Sequence, residues 1–221
     1  MKRMMIAMLS LVLTVPALAQ YGRPHYYSRP PVRSDYRPYQ HPDVYFGLRL
    51  GGALSTVNSD DPYLDGGSMK SGLNVGMVVG FQMGYHAPVY FETGLSYIEK
   101  GGEGSFEGSK FTYGLNYLET PLVVKYKHHF DPNFSIQPFL GGYMSVGVGG
   151  KIKDFNHRQA YSSFDNEGFN RFDGGLKVGC GVQFGLLYGE VGCDIGLANI
   201  SHDYFDTSRT TSLYTTIGLN F

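Results

Sequence analysis

The stretch SLYTTIGLNF, residues 212–221, alternates between two kinds of side chain. Leu213, Ile217, Leu219 and Phe221 occupy odd positions together with one threonine, whereas the even positions hold Ser, Tyr, Thr, Gly and Asn. Successive side chains of a β-strand point to opposite faces, so strict alternation indicates a strand whose two faces meet different surroundings. We therefore expect one apolar face and one small or polar face along this segment.

Seven earlier segments repeat the alternation, and together with the last one they predict eight strands. They are residues 44–54, 72–85, 89–98, a fourth that ends with 118–127, then 134–148, 170–184 and 187–197. Pro121 weakens the prediction locally, because a proline cannot donate to the hydrogen-bond ladder of a sheet. Beyond the first twenty positions no run of about 18 apolar residues occurs, which argues against membrane-spanning helices but not against a barrel.

All ten charged residues of these segments fall on the small or polar face, five acids and five bases. They are Arg49, Glu92, Glu119, Lys125, Lys127, Arg171, Asp173, Lys177, Glu190 and Asp194. At the lipid midplane an unpaired Lys or Arg costs about 2 to 4 kcal/mol, so this sorting suits a barrel with lipid outside. We predict an all-β fold, an eight-stranded antiparallel up-and-down transmembrane β-barrel, with these ten side chains forming a charge network in the lumen.

The connections between the predicted strands alternate in length without exception. Residues 86–88, 128–133 and 185–186 are short, whereas four other connections are long and polar: 55–71, 99–112 and 149–169, which contain several glycines, and 198–211. Short periplasmic turns and long extracellular loops are typical of outer-membrane barrels. The pattern predicts a protein of the bacterial outer membrane with four extracellular loops and both barrel termini in the periplasm.

Two segments precede the predicted barrel, which spans residues 43–221. Residues 1–19 read as an export signal, with Lys2 and Arg3 before an apolar run and a small-residue cleavage site that ends at Ala19. Residues 20–42 hold five tyrosines, four arginines and five prolines, and this composition predicts a disordered periplasmic tail. It favours a solvated linker over an arm that contacts a periplasmic partner, and the second interpretation stays open.

Strand register can be predicted at the tightest turn. If Gly185 and Leu186 form a two-residue hairpin, Phe184 faces Leu187, and Lys177 then faces Asp194 inside the barrel. We therefore expect an ion pair between Lys177 and Asp194. The same register makes the two cysteines, at positions 180 and 193, diagonal neighbours on the lipid face, and this spacing favours free thiols over a disulfide.

One segment resembles a known family in detail. Residues 116–126, NYLETPLVVKY, are similar to a strand of the small outer-membrane β-barrel proteins of Bacteroidota, the PorT-like or "outer membrane protein beta-barrel domain" family. Supporting matches are GLRLG at 47–51, GLSY at 94–97, GLANI at 196–200 and the terminal Phe221. The resemblance implies an outer-membrane barrel without an assigned reaction, and it implies that Phe221 is part of the signal read by the barrel-assembly machinery during insertion.

Candidate chemical sites are few. Ser201, His202 and Asp203 are adjacent in sequence, whereas the members of a catalytic triad converge from separate positions. His128 with His129 lacks a third metal ligand at a suitable spacing, and an acidic group at positions 60, 61 and 65 matches no calcium-binding loop. We therefore expect no catalytic residue, no cofactor and no metal.

The function expected from the sequence is that of a structural or binding barrel that displays four extracellular loops. A net charge of −1 gives no indication of nucleic-acid binding. The expected partners are outer-membrane lipid and the insertion machinery, and we expect a monomer. Two alternatives remain: a narrow small-solute pore, which a lumen filled with side chains disfavours, and a lipid-modifying enzyme.

Overall fold

The computed structural model describes the residues of the predicted barrel with several gaps. These residues are 44–59, 68–84, 87–106, 109–131, 133–154, 159–164, 169–200 and 208–221. The predicted signal peptide with Ala19, the tail at 20–42, the acidic group at 60–65 and the triplet at 201–203 lie outside them. Within the described part of the chain, no helix has the length and hydropathy of a membrane span.

Eight long strands build the wall, and three short strands of four residues extend it. The bounds are β1 Val44–Ser59, β2 Ser68–Gln82, β3 Val89–Phe106, β4 Ser109–Tyr126, β5 His128–Asp131, β6 Phe134–Gly149, β7 Lys151–Asp154, β8 Gln159–Ser162, β9 Phe172–Phe184, β10 Leu187–Gly196 and β11 Ser208–Asn220. The short ones are β5, β7 and β8.

Each long strand pairs antiparallel with two long neighbours, and the order closes on itself. β1 pairs with β2 on one side and with β11 on the other, while β4 pairs with β6. The remaining pairs of the wall are β2 with β3, β3 with β4, β6 with β9, β9 with β10 and β10 with β11. The prediction of a closed eight-stranded antiparallel barrel is confirmed. We call the end with the short connections and residues 44 and 221 the turn end, and the opposite end the loop end.

The two faces of the wall differ as the alternation predicts. Large apolar side chains such as Leu48, Leu140 and Ile217 are exposed on the outside, whereas the lumen holds buried polar and aromatic groups. Several inward aromatic rings lie directly opposite a glycine of the neighbouring strand. These pairs are Tyr45 with Gly80, Tyr113 with Gly102, Phe139 with Gly179 and Tyr214 with Gly192. A Cβ at Gly192 would lie 2.4 Å from the Tyr214 ring, so the glycines make room for the rings.

Strand ends are the main difference from the predictions. The intervals 55–71 and 99–112 are not loops over most of their described length, because β1 runs to Ser59 and the β3–β4 hairpin continues to Phe106 and Ser109. A tilted strand needs about 9 to 11 residues to cross a bilayer, and β3 and β4 have 18 each. Once the register of a hairpin is set, the backbone of a polar, glycine-containing segment forms the same ladder of hydrogen bonds as the backbone of an apolar segment. Above the barrel, β7 pairs with β4 and β8 pairs with β7.

Two further predicted intervals also contain strands. The short connection predicted at 128–133 includes β5, which pairs with β6 from His128 to Asp131. The long connection at 149–169 includes β7 and β8. In both places the backbone amides and carbonyls pair with a neighbouring strand that is already in position, and composition alone does not reveal that neighbour.

An apolar cap closes the loop end of the lumen. It consists of Ser163, Phe164, Phe169 and Ile200, all buried, from the segments that follow β8 and β10. Phe164 meets the Tyr117 ring edge-on at 5.8 Å between ring centroids, and Phe169 stacks on the ring of Tyr113 at 5.6 Å. The backbone is fixed as well: Phe169 N donates to Ser163 O, and Ser163 Oγ donates to Gly114 O at 2.7 Å.

Candidate functional site in the barrel lumen

Two clusters of ion pairs occupy the lumen one above the other. The turn-end cluster contains two bases and two acids, Arg49, Lys125, Glu92 and Glu190. Lys125 Nζ lies 2.8 Å from Glu92 Oε1 and 3.2 Å from Glu190 Oε2, and Arg49 Nη2 lies 3.6 Å from Glu92 Oε2. Tyr188 joins the cluster, since its hydroxyl accepts from Lys125 Nζ and donates to Glu190 Oε2, both at 2.8 Å.

The loop-end cluster contains two lysines and three acids, Lys100, Lys177, Glu119, Asp173 and Asp194. Lys177 Nζ lies 2.6 Å from Asp194 Oδ1 and 2.9 Å from Glu119 Oε1. Lys100 Nζ lies 3.0 Å from Glu119 Oε2 and 3.3 Å from Asp173 Oδ2. Each lysine therefore bridges two acids, and Glu119 links the two lysines. All five residues are buried.

Aromatic rings complete the surroundings of the lumen bases. Lys100 Nζ lies 4.1 Å from the centroid of the Tyr143 ring, and Lys177 Nζ lies 4.1 Å from that of Tyr214. Arg49 lies 3.9 Å over the Tyr188 ring. A ring face attracts a cation more strongly where water is excluded. Rings and carboxylates together replace the water that these bases lose on burial.

The structure brings eight of the ten predicted lumen charges into these clusters and leaves two outside. Arg171 is exposed; its guanidinium lies 5.5 Å from the centroid of the Phe164 ring of the cap, and Nη1 donates to Gly147 O. Arg171 lies one residue before β9, and its carbonyl oxygen accepts from Gly147 N at 2.6 Å. Lys127 follows the end of β4, and its ammonium lies 5.7 Å over the Tyr90 ring near the turn end. For these two residues membership of the lumen network stays a prediction.

Lys100 is the member of the loop-end cluster that the sequence interpretation missed. It is fully buried and contacts two acids, but it follows residue 98, where the third predicted strand was expected to end. The alternation in fact continues, since Ile98 and Lys100 keep the inward parity of Glu92. Two glycines and Glu103 follow Lys100, and this composition is typical of a loop, so the continuing alternation was not recognised.

The register predicted from the hairpin at Gly185 and Leu186 is confirmed. Leu187 pairs with Phe184, and Asp194 pairs with Lys177. The predicted ion pair between Lys177 and Asp194 is present at 2.6 Å. Cys180 pairs with Val191 and Cys193 with Val178, and both cysteines are free.

The space that remains between the two clusters is small. A cavity of about 30 Å³ lies between them, lined by Arg49, Glu119, Lys177 and Glu190 among others. A volume of this size holds one or two water molecules, not a solute. His128 and His129 lie in β5 and are exposed. In the part of the chain that the structure describes, no group of three or more His, Cys, Asp or Glu side chains is arranged to hold a metal ion.

Comparison with known proteins identifies the class of protein. The family described as "Outer membrane protein beta-barrel domain" matches residues 37–202, which is most of the chain. The chain belongs to this family and is an outer-membrane, transmembrane β-barrel. Among curated proteins no match was found.

Solved structures of bacterial surface proteins show a loose similarity to the chain. Neisserial surface protein A, NspA, is 12% identical, covers 80% of this chain and 97% of its own, and has a TM-score of 0.49. Ail, the attachment invasion locus protein of Yersinia pestis, solved in complex with the heparin analogue sucrose octasulfate, is 14% identical, covers 82% of this chain and 100% of its own, and has a TM-score of 0.42.

Proposed function

We propose that the protein is a non-conducting structural or binding barrel that displays loops at the loop end, without catalysis. The observation that supports it best is the filling of the lumen by two clusters of paired charges. A solute would have to separate ion pairs that are shielded from water, and eight strands leave an interior just wide enough for side chains. The lumen charges then hold the wall in shape rather than select a solute.

The apolar cap supports the same proposal at the loop end. Phe164, Phe169 and Ile200 close the mouth above the loop-end cluster. A solute entering from this end meets buried apolar side chains before it reaches a charge. Two barriers of different chemistry therefore lie in series along the barrel axis.

Conductance of the purified full-length protein in planar bilayers tests the proposal. We expect no stable channel from the natural protein. A double variant, Phe164→Ala with Phe169→Ala, removes the ring contacts of the cap but keeps both clusters, and it should also stay silent. A stable, size-selective conductance of the natural protein would instead establish a pore, and conductance of the variant alone would locate the barrier in the cap.

The proposed orientation places both barrel termini in the periplasm and the four long connections outside the cell. Short periplasmic turns and long outer loops are the usual arrangement in this class of barrel. An epitope inserted between residues 107 and 108 should bind antibody on intact cells. The same epitope between residues 185 and 186 should require permeabilised cells, and the reverse result would invert the orientation.

The proposal includes the segments before the barrel. Residues 1–19 would be removed after Ala19, so that the mature chain starts at Gln20, which amino-terminal sequencing of the membrane protein would test. Residues 20–42 would form the periplasmic tail. Pull-downs with the mature chain and with a barrel that lacks 20–42 address a tail partner: a protein captured only by the mature chain makes the tail a binding arm, and identical captures make it a linker.

The finer family assignment is also part of the proposal. The similarity of residues 116–126 to the PorT-like strand supports a place among the Bacteroidota barrels. A structural or binding role predicts unchanged lipid A in a deletion strain, measured by mass spectrometry. An altered acylation or headgroup pattern would favour the lipid-modifying alternative. Analytical ultracentrifugation in detergent should give a monomer.

A further inference from the structure

Exposed apolar and aromatic side chains form a row around the turn end of the barrel. Phe130, Phe184, Leu187 and Phe221 are exposed members of this row. They lie near one level because Phe184 pairs with Leu187 across the hairpin, and Leu187 pairs with Leu219, two residues before Phe221. Rows of this kind mark the boundary between acyl chains and headgroups in membrane barrels.

The short strand β5 continues the wall at this boundary and carries an imidazole between aromatic rings. The centroid of the His128 ring lies 6.3 Å from that of Tyr126, nearly parallel to it, and 4.7 Å from that of Phe130, which it meets edge-on. Phe130 in turn lies 5.9 Å from Phe134. His128 pairs with Ile136, an outward residue of β6, so this ladder of rings lies on the lipid side of the wall.

We propose that the outer face of β5, formed by Tyr126, His128 and Phe130, lies in the headgroup layer of the membrane, where His128 donates a hydrogen bond to a phospholipid phosphate. The apolar wall below Tyr126 contacts acyl chains, and the face of β5 continues that wall without a break. The stacked rings hold the imidazole at the level where phosphates lie. The imidazole contacts the rings of Tyr126 and Phe130 on this face, and His128 is exposed, so its N–H is accessible to a lipid headgroup.

The charge of the surrounding segment suits a phosphate. Lys127, His128 and His129 are consecutive, and Asp131 is the acid of β5. Lys127 and His129 have the opposite parity to His128 and therefore lie on the lumen side of the strand. The ammonium of Lys127 on the other face of the strand strengthens the attraction of this segment for an anion. The leaflet follows from the orientation proposed above and would be the periplasmic one, so the inference rests on that orientation.

The depth of β5 can be measured with a single fluorophore because the chain contains no Trp. The full mature chain with Phe130→Trp is folded into phosphatidylcholine vesicles that contain phosphatidylglycerol, with bromine near the glycerol backbone or near the acyl-chain ends. We expect the strongest quenching from the shallow bromines. Leu140→Trp and Met69→Trp serve as matched controls, because both parent residues are exposed to a similar extent, 61% and 63%, one on the lipid-facing wall and one at the loop end.

The quenching of the three variants distinguishes the possible depths of β5 in the membrane. Leu140→Trp should be quenched best by the deep bromines and Met69→Trp best by aqueous iodide. If Phe130→Trp behaves like Met69→Trp, β5 lies in water and the inference is wrong. If it behaves like Leu140→Trp, β5 is immersed in acyl chains and the phosphate contact is excluded.

The phosphate contact has its own test, lipid retention in native mass spectrometry. We expect His128→Phe, which keeps a ring and removes the N–H donor, to retain about fivefold less phosphatidylglycerol than the natural chain, the effect of one net hydrogen bond of about 1 kcal/mol. His129→Phe should retain as much as the natural chain, because His129 lies on the opposite face of β5. Equal retention by both variants would overturn the contact, and the non-conducting barrel proposed above would be unaffected.

Discussion

Gly192 and Tyr214 face each other across β10 and β11 inside the barrel. The missing side chain of Gly192 leaves the space in which the Tyr214 ring lies under the ammonium of Lys177. A glycine weakens a strand by itself, but a ring from the neighbouring strand covers the exposed backbone and restores packing. This explains why so narrow a lumen can hold several large rings.

We expect Gly192→Ala to destabilise the barrel by about 1 to 3 kcal/mol, the usual effect of overpacking. The added Cβ would lie 2.4 Å from the Tyr214 ring, and the buried ring has little room to move. Urea unfolding of the protein folded in lipid vesicles measures the loss. Gly189→Ala is the control on the same strand, because the nearest atom to its Cβ is 3.8 Å away. Equal stability of the two variants would contradict this packing.

Lys177 holds two carboxylates, Glu119 and Asp194, within 3 Å of its ammonium. We expect Lys177→Met to cost about 3 to 5 kcal/mol, because it leaves the buried Asp194 without its cation and Glu119 with Lys100 as its remaining one. Asp194 Oδ2 already lacks a hydrogen-bond partner among the described residues. The double variant with Asp194→Leu should recover part of the loss, since it removes a buried charge as well. A double-mutant cycle of unfolding free energies measures the coupling, and additive losses would refute it.

Among the elements, the cap was not predicted from the sequence, and neither were the short strands β5, β7 and β8. Phe164 and Phe169 lie in a connection that was expected to be a polar loop, and their burial depends on the inner face of the tall β3–β4 hairpin. Alternation reports only the two faces of one strand. It cannot report that a distant segment folds back over a strand, which is why the strands were predicted well and the cap was not.

Removing a cap ring should loosen the cap without opening the barrel. We expect Phe164→Ala to speed amide exchange at Ser163, Phe169 and Asn170, whose amides donate to Gly150 O, Ser163 O and Ile200 O, respectively. Phe172→Ala is a matched control, since Phe172 is exposed on the lipid side of β9. Hydrogen exchange of the folded protein measures both. Unchanged exchange in Phe164→Ala would show that the ring contacts do not hold the cap.

Phe221, the last residue, follows β11, the strand that closes the barrel by pairing with β1. Phe221 N donates to Phe46 O at 2.8 Å, and Phe46 N donates to Phe221 O at 3.1 Å. We expect deletion of Phe221 to lower the amount of heat-modifiable barrel in the outer membrane, because two closing hydrogen bonds and a terminal ring are lost. Phe221→Tyr keeps both and should insert normally. Normal insertion of the deletion variant would argue against a role of Phe221 in assembly.

At the scale of the whole molecule, alternation and charge sorting predicted the closed barrel, and the two-residue turn at Gly185 and Leu186 predicted the register at Lys177. The sorting worked because lipid and a water-poor lumen penalise opposite kinds of side chain. The network itself was less predictable. Lys100 lies beyond the expected strand end, and Arg171 and Lys127 lie just outside the ends of β9 and β4 and in neither cluster. The local alternation predicts the face of the strand on which a side chain lies. Its ion-pair partner, in contrast, lies on a strand that is distant in sequence.

Closure between β1 and β11 has a kinetic consequence. The register joins Gly47 to Asn220 and Ser59 to Ser208, so the seam brings together the two most distant strands of the wall. The entropy of closing so long a loop must be overcome before the contacts across the seam contribute, and such topologies fold slowly. Until β11 arrives, β1 presents an unpaired edge. The chain must therefore be protected from aggregation during its transit, and refolding rates should depend on the seam residues more than on any other pair of strands.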